Sequence, residues 1–236
     1  DELFTRVTGL KEKNIDEMGG NEAATSFLQH AADVRYFGAT CSFSTEFQST
    51  IGDGFPGQFI GPVQFSHARS LNTVVQKSES KQLSTVVSSN EDAKQGTFAT
   101  DNRLQYAIIP FHGIVNEVAA EDTLLSSADV ERLDTLMWRS VKNQTLTRSK
   151  MGHQPRLYLR VEYATDEFHI GTLDDRLELS GEVTDTELRN ITDVTLNIDS
   201  LVEELETYVD HVEAVHYTAD RHLTVEADGE VGGPDV

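Results

Sequence analysis

From residue 63 the side chains alternate as in an extended segment. Val63, Phe65, His67, Arg69 and Leu71 point one way, and Gln64, Ser66, Ala68 and Ser70 the other. The pattern predicts a strand whose buried face runs out into hydroxyl, amide, imidazole and guanidinium groups; an ordinary half-exposed strand fits it equally well. Upstream, Ala24, Phe27, Leu28, Ala31 and Val34 recur at helical spacing, with Asn21 as N-cap and Gly38 past the end. A helix over 22–34 is expected, delivering Arg35, Tyr36 and Phe37 into a turn. Residues 39–47 read as a short strand and 49–57, rich in Gly and Pro, as loop.

Residues 76–102 are polar, serine-rich and without long periodicity, with small apolar islands at Leu83, Val86-Val87 and Phe98. Segments of that length inside a domain are usually disordered or functional. LQYAIIPFHGIV at 104–115 could be a central strand, but Pro110 argues for an edge or bulge. The clearest helix is 127–144, with Val130, Leu133, Leu136, Met137 and Val141 on its apolar stripe. After a loop over 145–155, a strand is expected over 157–163, with 168–170 as a candidate partner. Thr184 and Glu187 have capping-box spacing for a short helix through Ile191, and Leu201, Val202, Leu205, Val209 and Val212 mark another. Strand-like pieces at 214–217 and 223–226 precede a tail over 227–236. Helices and strands without a regular βαβ rhythm or a glycine phosphate fingerprint indicate an α+β fold, in a chain read as one domain over 1–236.

Charge changes this picture. The 236 residues carry 40 acids and 19 bases, a net charge of −21. Such a surface opposes nucleic acid at low salt, yet it is also a device of halophiles, so overall charge is a poor guide to partners. The distribution says more: residues 162–236 hold 21 acids and 3 bases, against 19 and 16 in residues 1–161. No acid occurs between Gly54 and Ser78, and none over 135–161, where Arg139, Lys142, Arg148, Lys150, Arg156 and Arg160 lie. Two cationic windows are thus kept inside an acidic shell.

Known chemistries leave little trace. Cys41 is the single cysteine, the eight histidines form no HExxH, HxxxH or Cys/His pattern, and Gly52-Asp53-Gly54 lacks the Lys and spacing of a P-loop. No catalyst, metal or cofactor is indicated. No apolar run approaches the roughly 18 residues that span a bilayer, and a cytoplasmic protein is the default expectation. The chain opens without Met at DELFTRVTG, the start expected of a fragment or processed form.

Five ordered blocks together carry a resemblance. DVRYFGAT (33–40), GPVQFSHARSLN (61–72), QGTFATDNRLQYAIIPFHGIVNE (95–117), TRSKMGHQPRLYLRVEY (147–163) and FHIG (168–171) resemble the CRISPR-associated RNA-binding backbone subunit of type I-B Cascade, the Hmari or Csh type. The acidic composition fits a haloarchaeal member. The resemblance implies an RNA-recognition-motif-like (ferredoxin-like) palm with helical insertions. It also implies an extended thumb, here 76–102, with Leu83, Val86, Val87 and Phe98 wedging against bases. The family's first palm strand and polar loop have no counterpart here, so the N-terminal portion is expected to be missing.

The implied function is a non-catalytic subunit that coats CRISPR RNA and presents it to target DNA. Its expected partners are neighbouring copies of itself and other Cascade subunits, without a membrane. The implied RNA-binding residues are Arg35, Gln64, Ser66, His67, Arg69, Ser70, Asn72, Arg148, Ser149, Lys150, His153, Gln154, Arg156 and Arg160, with Lys77 as a further cation. Two alternatives stay open. One is a purely structural filament protein whose basic windows serve acidic neighbours; the other is a metal-dependent ribonuclease, which the absent early segment and the type I match disfavour.

Overall fold

The computed structural model describes residues 2–9, 18–51, 54–84, 97–147, 150–227 and 230–232. In chain order its elements begin with α1 (Glu2–Thr8), α2 (Gly20–His30), α3 (Ala32–Phe37), β1 (Gly38–Thr40), α4 (Thr45–Ile51), β2 (Gln58–Ile60) and β3 (Val63–Phe65). They continue with β4 (Gln76–Ser84), β5 (Thr97–Leu104), β6 (Gly113–Val115), α5 (Glu117–Thr123), α6 (Ser127–Lys142) and β7 (Leu157–Tyr163). Last come β8 (Glu178–Ser180), β9 (Thr195–Asn197), α7 (Asp199–Thr207), β10 (Val212–Ala219), β11 (Thr224–Ala227) and β12 (Glu230–Gly232). The chain divides into two compact units, residues 1–66 with 112–154, and 67–111 with 155–236.

Phenylalanine builds the first unit. Phe4 of α1 stacks on Phe27 of α2 with centroids 5.6 Å apart, and Phe43, Phe47 and Phe55 meet Phe4 edge-on at 5.7 to 6.3 Å. Phe59 of β2 closes the cluster against Phe27 and Phe55. These geometries suit the ring quadrupoles and add to the area removed from water. The helix expected over 22–34 is two helices, broken at Ala31, whose φ and ψ are −106° and 82°. Residues 39–47 form a strand only through Thr40, and α4 takes the end of that expected strand and the first three residues of the expected loop. Its signal is Phe47 and Ile51, four apart and both buried, behind Ser44, whose Oγ accepts from Phe47 N at 3.3 Å.

Two glycines control how the chain leaves this core. Gly38 has φ +74°, and a Cβ there would overlap the Phe59 carbonyl oxygen and lie 2.5 Å from Gly61 N. A Cβ on Gly61 would run into the backbone of Phe37 and Gly38. Each glycine is therefore required by the main chain of the other's neighbourhood. Together they launch β3, which pairs antiparallel with β6 in the register Val63↔Val115, Gln64↔Ile114 and Phe65↔Gly113. The strand ends at Phe65, so the expected extended pattern through Leu71 holds only at its start.

In the second unit Leu188, Ile191, Val194, Leu196 and Leu223 form the core, joined by Leu71, Tyr106, Ile108 and Leu157. Here β9 is flanked by antiparallel β8 and parallel β11, and β12 extends β11. The strand expected over 157–163 is present but pairs with β10, not with 168–170. The helix expected over 184–191 becomes short 3-10 turns at Asp185–Glu187 and Ile191–Asp193, because Leu188 and Ile191 are drawn into the core between and within them. The segment 76–102 contains an antiparallel hairpin, β4 with β5, in which Leu83 stands opposite Phe98. Its strand QKSESKQLS is polar on both faces, so no alternation advertised it. Val86 and Val87 lie outside the described residues, as do Arg148 and Ser149.

Gly61→Ala should lower unfolding stability by about 3 kcal/mol or more, since the obstruction is backbone and cannot rotate away. Gly57→Ala, where a Cβ meets nothing within 4 Å, should fall within about 0.5 kcal/mol of wild type. Equal urea midpoints for the two variants would contradict the close approach of Phe37-Gly38 to Gly61.

Candidate nucleic-acid interface

Helix α6 starts at a capping box. Ser126 Oγ accepts from Asp129 N at 3.2 Å, while Asp129 Oδ2 accepts from Ser126 N, also at 3.2 Å. Its last turn carries Arg139 and Lys142, both exposed, and beyond it the chain turns back through Lys150 to His153, whose N donates to the Lys150 carbonyl at 3.0 Å. Ser140, Val141, Gln144, Lys150 and His153 line a shallow depression of about 220 Å³. Cations at a helix C-terminus also meet the negative end of its dipole, which holds them there. Lys150, His153 and Gln154 are exposed, so this part of the predicted set is brought together at one surface.

Other predicted residues are placed differently. Arg35 is only 14% exposed: Nε and Nη2 reach Asp129 Oδ2 and Oδ1 at 3.2 and 3.0 Å, and Nη1 donates to the Leu28 and Gln29 carbonyls at 2.7 and 3.1 Å. Its donors are turned into the fold instead of toward a ligand. Asn72, 3% exposed, donates from Nδ2 to the Thr73 and Tyr106 carbonyls and accepts at Oδ1 from Ile108 N at 2.9 Å. It pins residues 71–73 against 106–108, so its amide is used within the fold. The groups it serves are main-chain donors and acceptors of half-buried Tyr106 and Ile108 and of exposed Thr73.

Arg156 pairs with Asp220 and hydrogen-bonds Tyr106. Burial pushes the Tyr106 hydroxyl upward, and Arg156 only partly opposes it. Arg160 reaches Glu162 Oε2 at 3.1 Å, and His216 Nε2 reaches the same oxygen at 3.0 Å. The hydrogen bonds from His216 and then Arg160 hold the Glu162 carboxyl below its ordinary range. By contrast Arg69 and Lys77 are exposed and have no hydrogen-bond or ion-pair partner among the described residues. Gln64, Ser66 and His67 are exposed and Ser70 is half-buried. Gln64 Nε2 donates to the Gly61 carbonyl at 2.8 Å.

Reactive chemistry is sparse. Among the described residues no group of three or more His, Cys, Asp or Glu could hold a metal ion. Burial pushes the Cys41 thiol up, away from the nucleophilic thiolate. No described helix is long and apolar enough to cross a membrane.

Comparison with known proteins shows that the chain is CRISPR-associated. Residues 4–199 match the family model described as CRISPR-associated protein Cas7. A CRISPR-associated protein Cas7 of Haloferax volcanii is 42% identical over 221 residues, which cover 90% of this chain and 64% of that relative. The chain therefore spans just under two thirds of the length of the curated relative it matches. It belongs to the Cas7 family.

Two outcomes test the sorting of these residues. Asn72→Ala should cost about 2 kcal/mol by leaving Ile108 N and the Tyr106 carbonyl unsatisfied, whereas Arg69→Ala should change stability by less than about 0.5 kcal/mol. If chemical denaturation finds Arg69→Ala the costlier, the assignment of Asn72 to the fold fails.

The Arg35 pair holds the Asp129 carboxyl below its ordinary value of 3.8. Its stabilisation is therefore complete above that value and is lost as pH falls through the lowered one. Asp129→Asn should be less stable by about 3 kcal/mol at neutral pH, since it leaves a guanidinium without its partner. The Tm gap to wild type should close as pH drops below 3.8; a gap independent of pH would remove the charge from the explanation.

Proposed function

We propose that this chain is a non-catalytic RNA-binding backbone subunit of a type I-B interference complex, Cascade, which holds CRISPR RNA for pairing with invading DNA. The observation that carries the reading is the pair of acid-free cationic windows in a member of the Cas7 family whose other surfaces are acidic. Phosphates require cations and hydrogen-bond donors at contact distance. Lys150, His153 and Gln154 offer them in the first unit, and His67, Arg69 and Ser70 in the second. Arg148 and Ser149 belong to the same proposed surface by sequence.

In this reading β7 and β10 belong to an RNA-recognition-motif-like palm, and the β4–β5 hairpin is the thumb, with Leu83 and Phe98 at opposed register positions. The subunit acts in the cytoplasm beside copies of itself and other Cascade subunits, in a salt-loving host. At about 1 M salt the Debye length is roughly 3 Å. Affinity then rests on direct hydrogen bonds, stacking and cooperativity between neighbours more than on counterion release.

A second reading is favoured by the 21 acids of residues 162–236. There the basic windows receive acidic surfaces of neighbouring copies, and the protein is a structural filament without RNA.

Material purified under native conditions should carry small RNA of uniform length. Affinity for single-stranded RNA should fall only shallowly from 0.1 to 1 M KCl, and Arg148→Ala with Lys150→Ala should weaken it about tenfold, as expected for losing charged hydrogen bonds. Purification free of nucleic acid, with assembly indifferent to the double variant, would reject the RNA reading. A steep salt slope would reject the short-range mode of binding.

A further inference from the structure

The β4–β5 hairpin leaves the second unit on two legs, residues 71–75 and 105–108, and both legs are bonded to one short 3-10 turn, Asp185–Glu187. On the first leg Thr73 N and Thr73 Oγ1 both donate to Asp185 Oδ2, at 2.9 and 3.3 Å. On the second, Gln105 Nε2 donates to the carbonyl of the next residue of the turn, Thr186, at 3.3 Å. The legs are also joined to each other: Leu71 N donates to the Ile108 carbonyl and Gln105 N to the Val75 carbonyl, both at 2.9 Å, beside the bonds of the Asn72 amide.

The turn is itself fixed. Thr184 Oγ1 donates to Glu187 Oε2 at 2.7 Å, and Leu188, the next residue, is 1% exposed in the core of the unit. Arg189 Nη1 donates to the Thr186 carbonyl at 3.2 Å, so that oxygen accepts from both Arg189 and Gln105 and fills its two lone pairs. Exposed hydrogen bonds of this kind add little to stability one by one. Their placement does more: a ribbon held by one leg can swing about that attachment, whereas one held by both legs on consecutive residues of a fixed turn cannot. At about 3.4 Å per residue, Leu83 lies about 24 Å beyond Gln76, so a swing of about 10° at the root would carry it about 4 Å. That displacement exceeds the roughly 3.4 Å between successive stacked bases.

We propose that Asp185 is a positioning residue for RNA binding: with the Thr186 carbonyl it aims the hairpin, so that the register positions of Leu83 and Phe98 reach the RNA at one fixed place. Asp185 acts through Thr73 and makes no contact with RNA in this role. One carboxylate oxygen takes both the main-chain and the side-chain donor of Thr73, which fixes the direction of that leg and not merely its distance. The inference rests on the RNA-binding reading, in which this hairpin is the thumb, and adds to it the residue that sets where the thumb points.

The test uses the full chain with Cys41, its single cysteine, replaced by Ser. Spin labels at Ser84→Cys, on the hairpin, and at Glu206→Cys, exposed on α7, report the distance between hairpin and unit by electron paramagnetic resonance. Asp185→Ala and Gln105→Ala each release one leg and should widen the distance distribution about twofold, while Asp185→Asn, whose amide oxygen still accepts from Thr73 N, should leave it narrow. Affinity for a short single-stranded RNA homopolymer should fall about fivefold in each alanine variant and stay at the wild-type level in Asp185→Asn. Circular-dichroism melting curves check that every variant is folded. Unchanged widths in both alanine variants would overturn the anchor. Widened distributions with wild-type RNA affinity would overturn the positioning role, as would weak RNA binding by Asp185→Asn with a narrow distribution. Absence of RNA binding by the parent chain would overturn the RNA reading and the positioning role together, while the label distances would still show whether the turn anchors the hairpin.

Discussion

Asp129 is the point at which the first unit is tied together. Its Oδ2 accepts from Ser126 N, Ser126 Oγ and Arg35 Nε, its Oδ1 from Arg35 Nη2, and its carbonyl from the Tyr36 hydroxyl at 2.6 Å. The same carboxylate therefore caps α6 and neutralises the guanidinium at the end of α3. On the other side, Arg35 Nη1 serves the carbonyls of Leu28 and Gln29, which the break at Ala31 leaves without helical partners. A little-exposed ion pair stabilises only when its remaining hydrogen-bonding capacity is filled. Here both partners fill theirs from main chain, so charge, helix break and helix start depend on one another.

The surface follows from that arrangement. Thr123, fully buried, reaches the Arg35 carbonyl at 3.0 Å and the Ala119 carbonyl at 3.2 Å, which brings α5 to the same node. From the node α6 runs 16 residues to its basic last turn, and α3 runs into Gly38 and its close approach to Gly61. The depression at the end of α6 and the β3–β6 ribbon are thus both positioned by contacts whose atoms are already used. Lys150 and His153, which line that depression, are left exposed.

That division explains what could be read from the chain alone. The helix over 127–144 and the strand over 157–163 were legible because a strong apolar period survives in each. The family resemblance was legible because five blocks occur in order. The roles of Arg35, Asn72, Arg156 and Arg160 were not, since their partners Asp129, Tyr106, Asp220 and Glu162 lie mostly far away in sequence. A cation list drawn from acid-free windows cannot see a carboxylate arriving from another segment. Phe65 shows the opposite error: alternation with Val63 assigned it to a buried face, whereas it is 43% exposed opposite Gly113. The two glycine contacts and the 76–104 hairpin were invisible because they depend on backbone proximity, which composition does not encode.

Net charge and local charge act on different scales in such a protein. With a Debye length of roughly 3 Å at molar salt, the acids of residues 162–236 are screened from a ligand on a distant surface. A carboxylate at hydrogen-bond distance is not screened, and it would both repel a phosphate and demand its own desolvation. Removing acids from the immediate contact surface therefore matters more than lowering the total. The second unit is consistent with this economy: Arg156, Arg160 and Arg176 each sit against a carboxylate, while Arg69 and Lys77, in the acid-free stretch, have none among the described residues. A net charge of −21 therefore does not by itself exclude a contact with nucleic acid, because at molar salt each charge is felt over only roughly 3 Å.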